Sequence, residues 1–184
     1  TKQLLTLLSA EERKIAIQLL GYPEDSVGRL MTPEFIAVQG DWTVRETLTH
    51  IRDHGEDSET LNVIYVVDST GHLLDDLRIR QLLLADPDQK ISDLLDGTFI
   101  SLRATDDQEE AVQVFGDYDR VALPAIDSRG VLLGIVTVDD VLDVAEEEAT
   151  EDIHKLGGSI ALEQPFMQIG FLEMLRKRIG WLVL

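Results

Sequence analysis

Between Asp106 and Asp152 the chain places fifteen carboxylates against two bases, Arg120 and Arg129. The acids are Asp106, Asp107, Glu109, Glu110, Asp117, Asp119, Asp127, Asp139, Asp140, Asp143, Glu146, Glu147, Glu148, Glu151 and Asp152. Thirteen of the nineteen net negative charges thus fall in about a quarter of the length. Asp140, Asp143, Glu147 or Glu148, and Glu151 recur at spacings of three and four, which puts them on one face of a helix. Like charges so placed cost about 0.2–0.5 kcal/mol per pair, and acids at the far end of that helix oppose its dipole. Divalent cations would relieve both penalties. Oxygen donors without Cys or clustered His suit hard ions: Mg2+, with Ca2+ or Mn2+ as substitutes. Charge alone is equally the pattern of a solvated acidic surface.

These acids are organised by the stretch Gly134–Asp143. Ile135 and Val136 continue an apolar run from Val131 through Leu133, which reads as a strand buried on both faces. Thr137 then stands where a helix N-cap belongs, with Asp139 and Asp140 in the first turn, where free N–H groups favour carboxylates. A buried strand therefore turns directly into an acidic helix, with a hydroxyl and two acids at the turn.

An internal repeat extends this pattern to most of the chain. Ile64–Leu73 parallels Leu123–Leu132, with Asp68/Asp127, Gly71/Gly130 and Leu73/Leu132 offset by 59. Phe35-Ile36 parallels Phe99-Ile100 at an offset of 64, which places about five extra residues in the first copy near Gly55–Ser58. Each copy predicts a short helical turn (27–31; 91–95) and a strand (35–38; 98–102). A helix with a capping box follows, Thr43 with Glu46 and Thr105 with Gln108. A hairpin turns at Asp68–Gly71 and at Asp127–Gly130, and a closing helix ends each copy (78–84; 138–148). Two such units cover each other's apolar sheet faces, which one unit alone could not do.

The residues around this frame exclude several classes. A net charge of -19 argues against nucleic acid or an anionic membrane as a ligand of the main body. No Cys is present, so disulfides and thiolate metal sites are absent. No Gly-rich phosphate loop or nucleophile elbow appears, and the paired acids have no His or Lys base beside them, so no enzyme is expected. His50, His54, His72 and His154 are scattered and read as surface or hydrogen-bonded histidines.

Two β-α-β-β-α units with Gly134-Ile-Val-Thr137-Val-Asp-Asp140 at the second strand–helix junction resemble a tandem pair of cystathionine-β-synthase (CBS) motifs. Leu30-Met31-Thr32-Pro33, Asp106–Glu110, Asp117-Tyr-Asp119, Thr137–Asp143 and Ala149–Leu156 together resemble the cytosolic region of MgtE-type magnesium channels and transporters. The resemblance covers Gly28 to Leu156. It implies an α/β (α+β) tandem CBS pair with pseudo-two-fold symmetry. It implies a helical tail of an upstream domain at 1–21, CBS motif 1 at 22–88 and CBS motif 2 at 89–145. A connecting, plug-like helix region would follow at 146–175, and the start of a first transmembrane helix at 176–184. It further implies homodimerisation through the pair, a transmembrane domain of the same protein as partner, and a cytoplasmic place at the inner membrane. In that family magnesium lies between the CBS pair and the following helix, and between subunits. The matching positions are Asp107, Glu109, Gly116 (through its carbonyl), Asp119, Asp140, Asp143, Glu148, Glu151 and Asp152.

CBS pairs also hold adenosine nucleotides such as ATP or AMP, and Arg80, Thr137 and Asp140 are the positions that would serve. Repeat two has the Thr and Asp of that pattern. Repeat one carries Asp75, Arg78 and Gln81 where repeat two has Gly134, Thr137 and Asp140, and so lacks the ribose-binding carboxylate.

The flanks carry less. Leu4 to Leu20 is densely apolar and helical, with Ser9 and Glu12 as a capping box, and Gly21-Tyr22-Pro23 ends it. Gly157-Gly158 interrupts the acidic helix, and Gln164-Pro165 fits a new start. Arg176-Lys-Arg178 before Ile179–Leu184 matches the cytoplasmic flank of a membrane span.

Overall fold

The structure, a computed structural model, describes residues 9–156. The expected break at Gly157-Gly158, the helix from Gln164 and the basic–apolar flank at 176–184 lie outside the described residues. Among the described residues no helix is long and apolar enough to cross a membrane. The chain divides into two compact units, Thr1–Val141 and Leu142–Leu184. The first holds repeat one and repeat two as far as Val141.

Helix α1 (Ala10–Leu19) begins directly after Ser9. Repeat one then runs α2 (Val27–Leu30), β1 (Ala37–Gln39), α3 (Val44–His54), β2 (Val63–Val67), β3 (Leu73–Arg78) and α4 (Ile79–Leu84). Repeat two runs from a 3-10 turn at Ile91–Leu94 through β4 (Leu102–Arg103), α5 (Gln108–Tyr118), β5 (Ala122–Ile126), β6 (Leu132–Thr137) and α6 (Val138–Leu156). Each repeat forms its own three-stranded sheet, in the orders β1-β2-β3 and β4-β5-β6. The first strand pairs parallel to the second, and the second antiparallel to the third. The extra residues of repeat one form a 3-10 turn at Gly55–Asp57.

Local signals explain most of these elements. Thr43 and Glu46 make a reciprocal capping box at the start of α3. The hairpin turns are built alike: Asp68 Oδ1 accepts from the N–H of Thr70 (2.8 Å) and His72 (2.9 Å). Asp127 Oδ1 accepts from Arg129 (2.8 Å) and Val131 (2.9 Å). Gly71 and Gly130 both take φ +86°, the left-handed region that Gly enters without penalty. Two expectations need correction. Helix α5 is capped by Asp107, whose side chain accepts from Glu109 N, and not by Thr105. An Asp one residue before the helix competes successfully with a Thr–Gln pair, because a carboxylate also answers the positive helix end. The first strands are also shorter than expected, three residues in β1 and two in β4, where only those residues pair with the second strand.

The repeats are joined by exchange. Val27, at the head of repeat one, is buried with Leu102, Ala111, Phe115 and Leu123 of repeat two. Ile91, at the head of repeat two, is buried with Ile36, Val44, Ile64 and Leu77 of repeat one. Each such side chain contributes about 1.5–3 kcal/mol through burial. A shared cluster of Val63, Tyr65, Leu73, Ala122 and Ile135 draws on both hairpins. Across the pseudo-two-fold, Leu73 N donates to Gly130 O and Leu132 N to Gly71 O, both at 3.0 Å. The same symmetry relates the isolated bridges Ser26↔Asp107 and Thr43↔Lys90.

Candidate functional site

The junction of β6 and α6 has the anticipated local form. Thr137 is buried, and its Oγ1 donates to Asp140 Oδ2 at 2.7 Å. This bond orients the Asp140 carboxylate at the first turn of α6, where helix N–H groups favour negative charge. Asp143, three residues on, is exposed, and Glu148 is half-buried. Glu151 and Asp152 lie in the last turns of α6.

On α5 the acids line up by a different route. Asp107 is the N-cap, Glu109 follows in the first turn, and both are exposed. Glu109, Gly116 and Asp119 are spaced by seven and three, which keeps them on one side of the helix. Gly116 sits in the last turn, where backbone carbonyls have no intrahelical partner. A side chain there would meet nothing within 4 Å. Asp119 ends the helix in the left-handed conformation, φ 47° and ψ 43°.

Among the described residues no three His, Asp or Glu side chains converge to hold an ion. The donors are carboxylates and a carbonyl, in ones and twos along α5 and α6. That set fits a hard ion that keeps several waters and takes one or two carboxylates, the habit of magnesium. It does not fit zinc, which wants four close protein donors.

A cleft lies between the β3–α4 junction of repeat one and the α5–β5 turn of repeat two. It has a volume of about 440 Å³ and is lined by Asn62, Val63, Arg78, Ile79, Arg80, Asp119, Arg120 and Val121. Arginine side chains suit phosphate oxygens, and three of the lining residues are arginines. Arg120 Nη1 also pairs with Asp76 Oδ1 at 3.3 Å, with both side chains largely buried. Burial raises the Asp76 carboxyl above its ordinary value, and Arg120 opposes that rise. Arg80 lines this cleft, whereas Thr137 and Asp140 do not. Sequence reasoning missed Asn62, Arg78 and Arg120. The available signal was positional: Asn62 and Arg120 each stand just before a buried second strand.

Asp75 has a different task from the one its repeat partner suggested. Its buried carboxylate accepts from Asp96 N at 2.9 Å and Gly97 N at 3.0 Å through Oδ2, and from Asp76 N at 2.8 Å through Oδ1. It is a backbone staple, fully hydrogen-bonded and closed to ligand.

Comparison with known proteins agrees with this architecture. The family model described as "CBS domain" matches residues 27–88 and 91–147. The chain is 42% identical over 183 residues to the magnesium transporter MgtE of Thermus thermophilus, covering 100% of this chain and 41% of the relative. It is 36% identical over 180 residues to the MgtE of Bacillus subtilis, covering 98% of this chain and 40% of the relative. The chain thus spans about two fifths of the length of these curated relatives. Among solved structures, it is similar to the cytosolic domain of the Mg2+ channel MgtE in complex with ATP. That match has a TM-score of 0.76 and 43% identity, over 78% of this chain and 58% of that one.

Proposed function

The chain belongs to the CBS domain family, and from that premise we propose that it is the magnesium-sensing cytosolic region of an MgtE-like magnesium channel or transporter. The observation that carries this reading is the all-oxygen set of donors carried by α5 and by α6, in a fold shared with an Mg2+ channel's cytosolic domain. Asp107, Glu109, the Gly116 carbonyl, Asp119, Asp140, Asp143, Glu148, Glu151 and Asp152 are the proposed ligands. When magnesium is scarce these carboxylates repel one another. When it is plentiful the ions neutralise them and favour the ion-loaded arrangement, which corresponds to the closed pore. Such control requires that the closed form bind magnesium more tightly than the open one. The role is binding, not catalysis.

The proposed assembly is a homodimer through the CBS pair, on the cytoplasmic side of the inner membrane and coupled to a transmembrane domain of the same protein. Leu83 and Leu84 support the dimer: they project from α4 at 65% and 76% exposure, apolar surface that a second copy would cover. Titrating MgCl2 while following melting temperature and limited proteolysis around Ala145–Leu156 tests the reading. A rising melting temperature and slowed cleavage are expected. An unchanged fragment at millimolar magnesium would remove the basis for it.

A second reading is favoured by the arginine-lined cleft. We infer that this cleft takes the phosphates of an adenosine nucleotide, as a similar cytosolic domain has been captured with ATP. Gln81 in place of an acid weakens the ribose contact there, so the phosphates dominate recognition. Equilibrium dialysis with ATP and AMP separates this reading from magnesium sensing.

A further inference from the structure

His50 and His54, four residues apart on α3, come together on the outer face of that helix. Their ring centroids are 4.3 Å apart with an interplanar angle of 30°. Trp42 sets its ring edge-on to His50 at 5.1 Å. The three rings line a shallow cleft of about 450 Å³ with Arg45, Glu46, Thr49 and Asp53. His50 is half-buried and His54 exposed.

Burial first, and then the neighbouring His54, hold the His50 imidazole below its ordinary range, so it is neutral at pH 7. His54 Nδ1 lies 3.1 Å from the carbonyl oxygen of His50. A carbonyl only accepts, so this contact calls for a proton on Nδ1 and makes Nε2 the nitrogen that can meet an ion. Metal-binding imidazoles are commonly oriented in this way, with one ring nitrogen bonded to a carbonyl and the other turned to the ion.

We propose that His50 and His54 form a two-imidazole site on α3 for a borderline divalent cation of the zinc, nickel or copper class. Two His at i and i+4 share a helix face, the spacing by which zinc helices present their ligands. Imidazole selects these ions, whereas magnesium prefers oxygen. The charged neighbours are consistent with a cation. Asp53 draws the His50 pair toward positive charge, and Arg45 is occupied by Asp88 at 2.9 Å. Glu46 is committed to the Thr43 capping box, so it is not a ligand. With two protein donors the remaining positions belong to water, and the site is an open, exchangeable one.

The test uses Trp42 as reporter in a Trp181→Phe background of the 184-residue chain, with MgCl2 in large excess to fill oxygen sites. CuCl2 or NiCl2 is titrated at pH 7.5 and the fluorescence followed. Saturable quenching is expected, weakened at least about tenfold by His50→Gln or His54→Gln and lost in the double variant. His72→Gln should leave it intact. Circular dichroism confirms that each variant is folded. Quenching that survives the double variant, or that excess magnesium removes, overturns the proposal.

Discussion

Asp75 and Gly134 occupy the same place in their two hairpins, and each secures the segment that leads into the other repeat. The Asp75 carboxylate grips the N–H groups of Asp96 and Gly97, which lead into repeat two. Gly134 has no side chain, and this lets Thr32, which leads into repeat one, pair with Ile135 through Thr32 N→Ile135 O at 2.8 Å and Ile135 N→Thr32 O at 2.9 Å. One repeat uses a side chain where the other uses backbone, at the cost of the local sequence symmetry.

Replacing Asp75 with Ala removes three hydrogen bonds made by a buried carboxylate to backbone N–H groups. Each such bond contributes about 0.5–1.5 kcal/mol, so a loss of about 3 kcal/mol is expected. Urea unfolding checks this. Asp75→Asn, which keeps one acceptor oxygen, should fall between the variant and the parent.

Gly134→Ala should destabilise by about 1–3 kcal/mol, because the new Cβ would stand 2.7 Å from Thr32 O and 3.1 Å from the Met31 side chain. The loss reads as a lower urea midpoint. The same change at Gly116 meets open space and should stabilise by up to about 1 kcal/mol through helix propensity.

Asp68 supplies a pH signature. The Thr70 hydroxyl first, and then the His72 N–H, hold its carboxyl at about 2, below its ordinary 3.8. A carboxyl lowered by folding stabilises fully above its unfolded value and loses that contribution as pH falls toward its folded value. Asp68→Asn should therefore be less stable than the parent at pH 7, with the gap closing between pH 3.8 and about 2. Thermal melts across that window read it directly.

For the metal reading, Asp140→Asn and Glu109→Gln should each reduce the rise in melting temperature on adding magnesium. A ligand at 100 times its dissociation constant stabilises by about 2.7 kcal/mol, which bounds the full response. Without magnesium the Asp140→Asn chain should differ from the parent by under about 1 kcal/mol, since the lost repulsion is offset by the lost favourable charge at the first turn of α6. An undiminished response in both variants would place the ions elsewhere.

For the nucleotide reading, Arg80→Ala should weaken ATP retention more than AMP retention, because the arginine answers phosphate. Its magnesium response should be unaltered. Arg120→Ala should act differently and destabilise the fold as well, by stranding the Asp76 carboxylate.

Repeat count, strand–helix order and the Asp–Gly turns were legible because each depends on short spacings. Asp68 and Asp127 announce their turns through the glycine three residues later. The exchange of Val27 and Ile91 was not legible, since an apolar residue carries no label for the core it enters. The cap of α5 was misplaced by two residues because Thr105 and Asp107 are both good caps, and the Asp107 carboxylate answers the positive helix end better. The acids were found by composition, but their arrangement in ones and twos depends on helix register. His50 and His54 looked scattered because the chain was read for clusters in sequence, whereas a helix brings residues four apart into contact.

The traded lead-in segments have a consequence for how this protein can be divided. A polypeptide severed in the stretch Pro87–Gln89 would release two halves, each with a hollow that only the other's leading turn fits. Expressed apart they should stay molten; expressed together they should reconstitute, as a dovetail closes only when both boards are present.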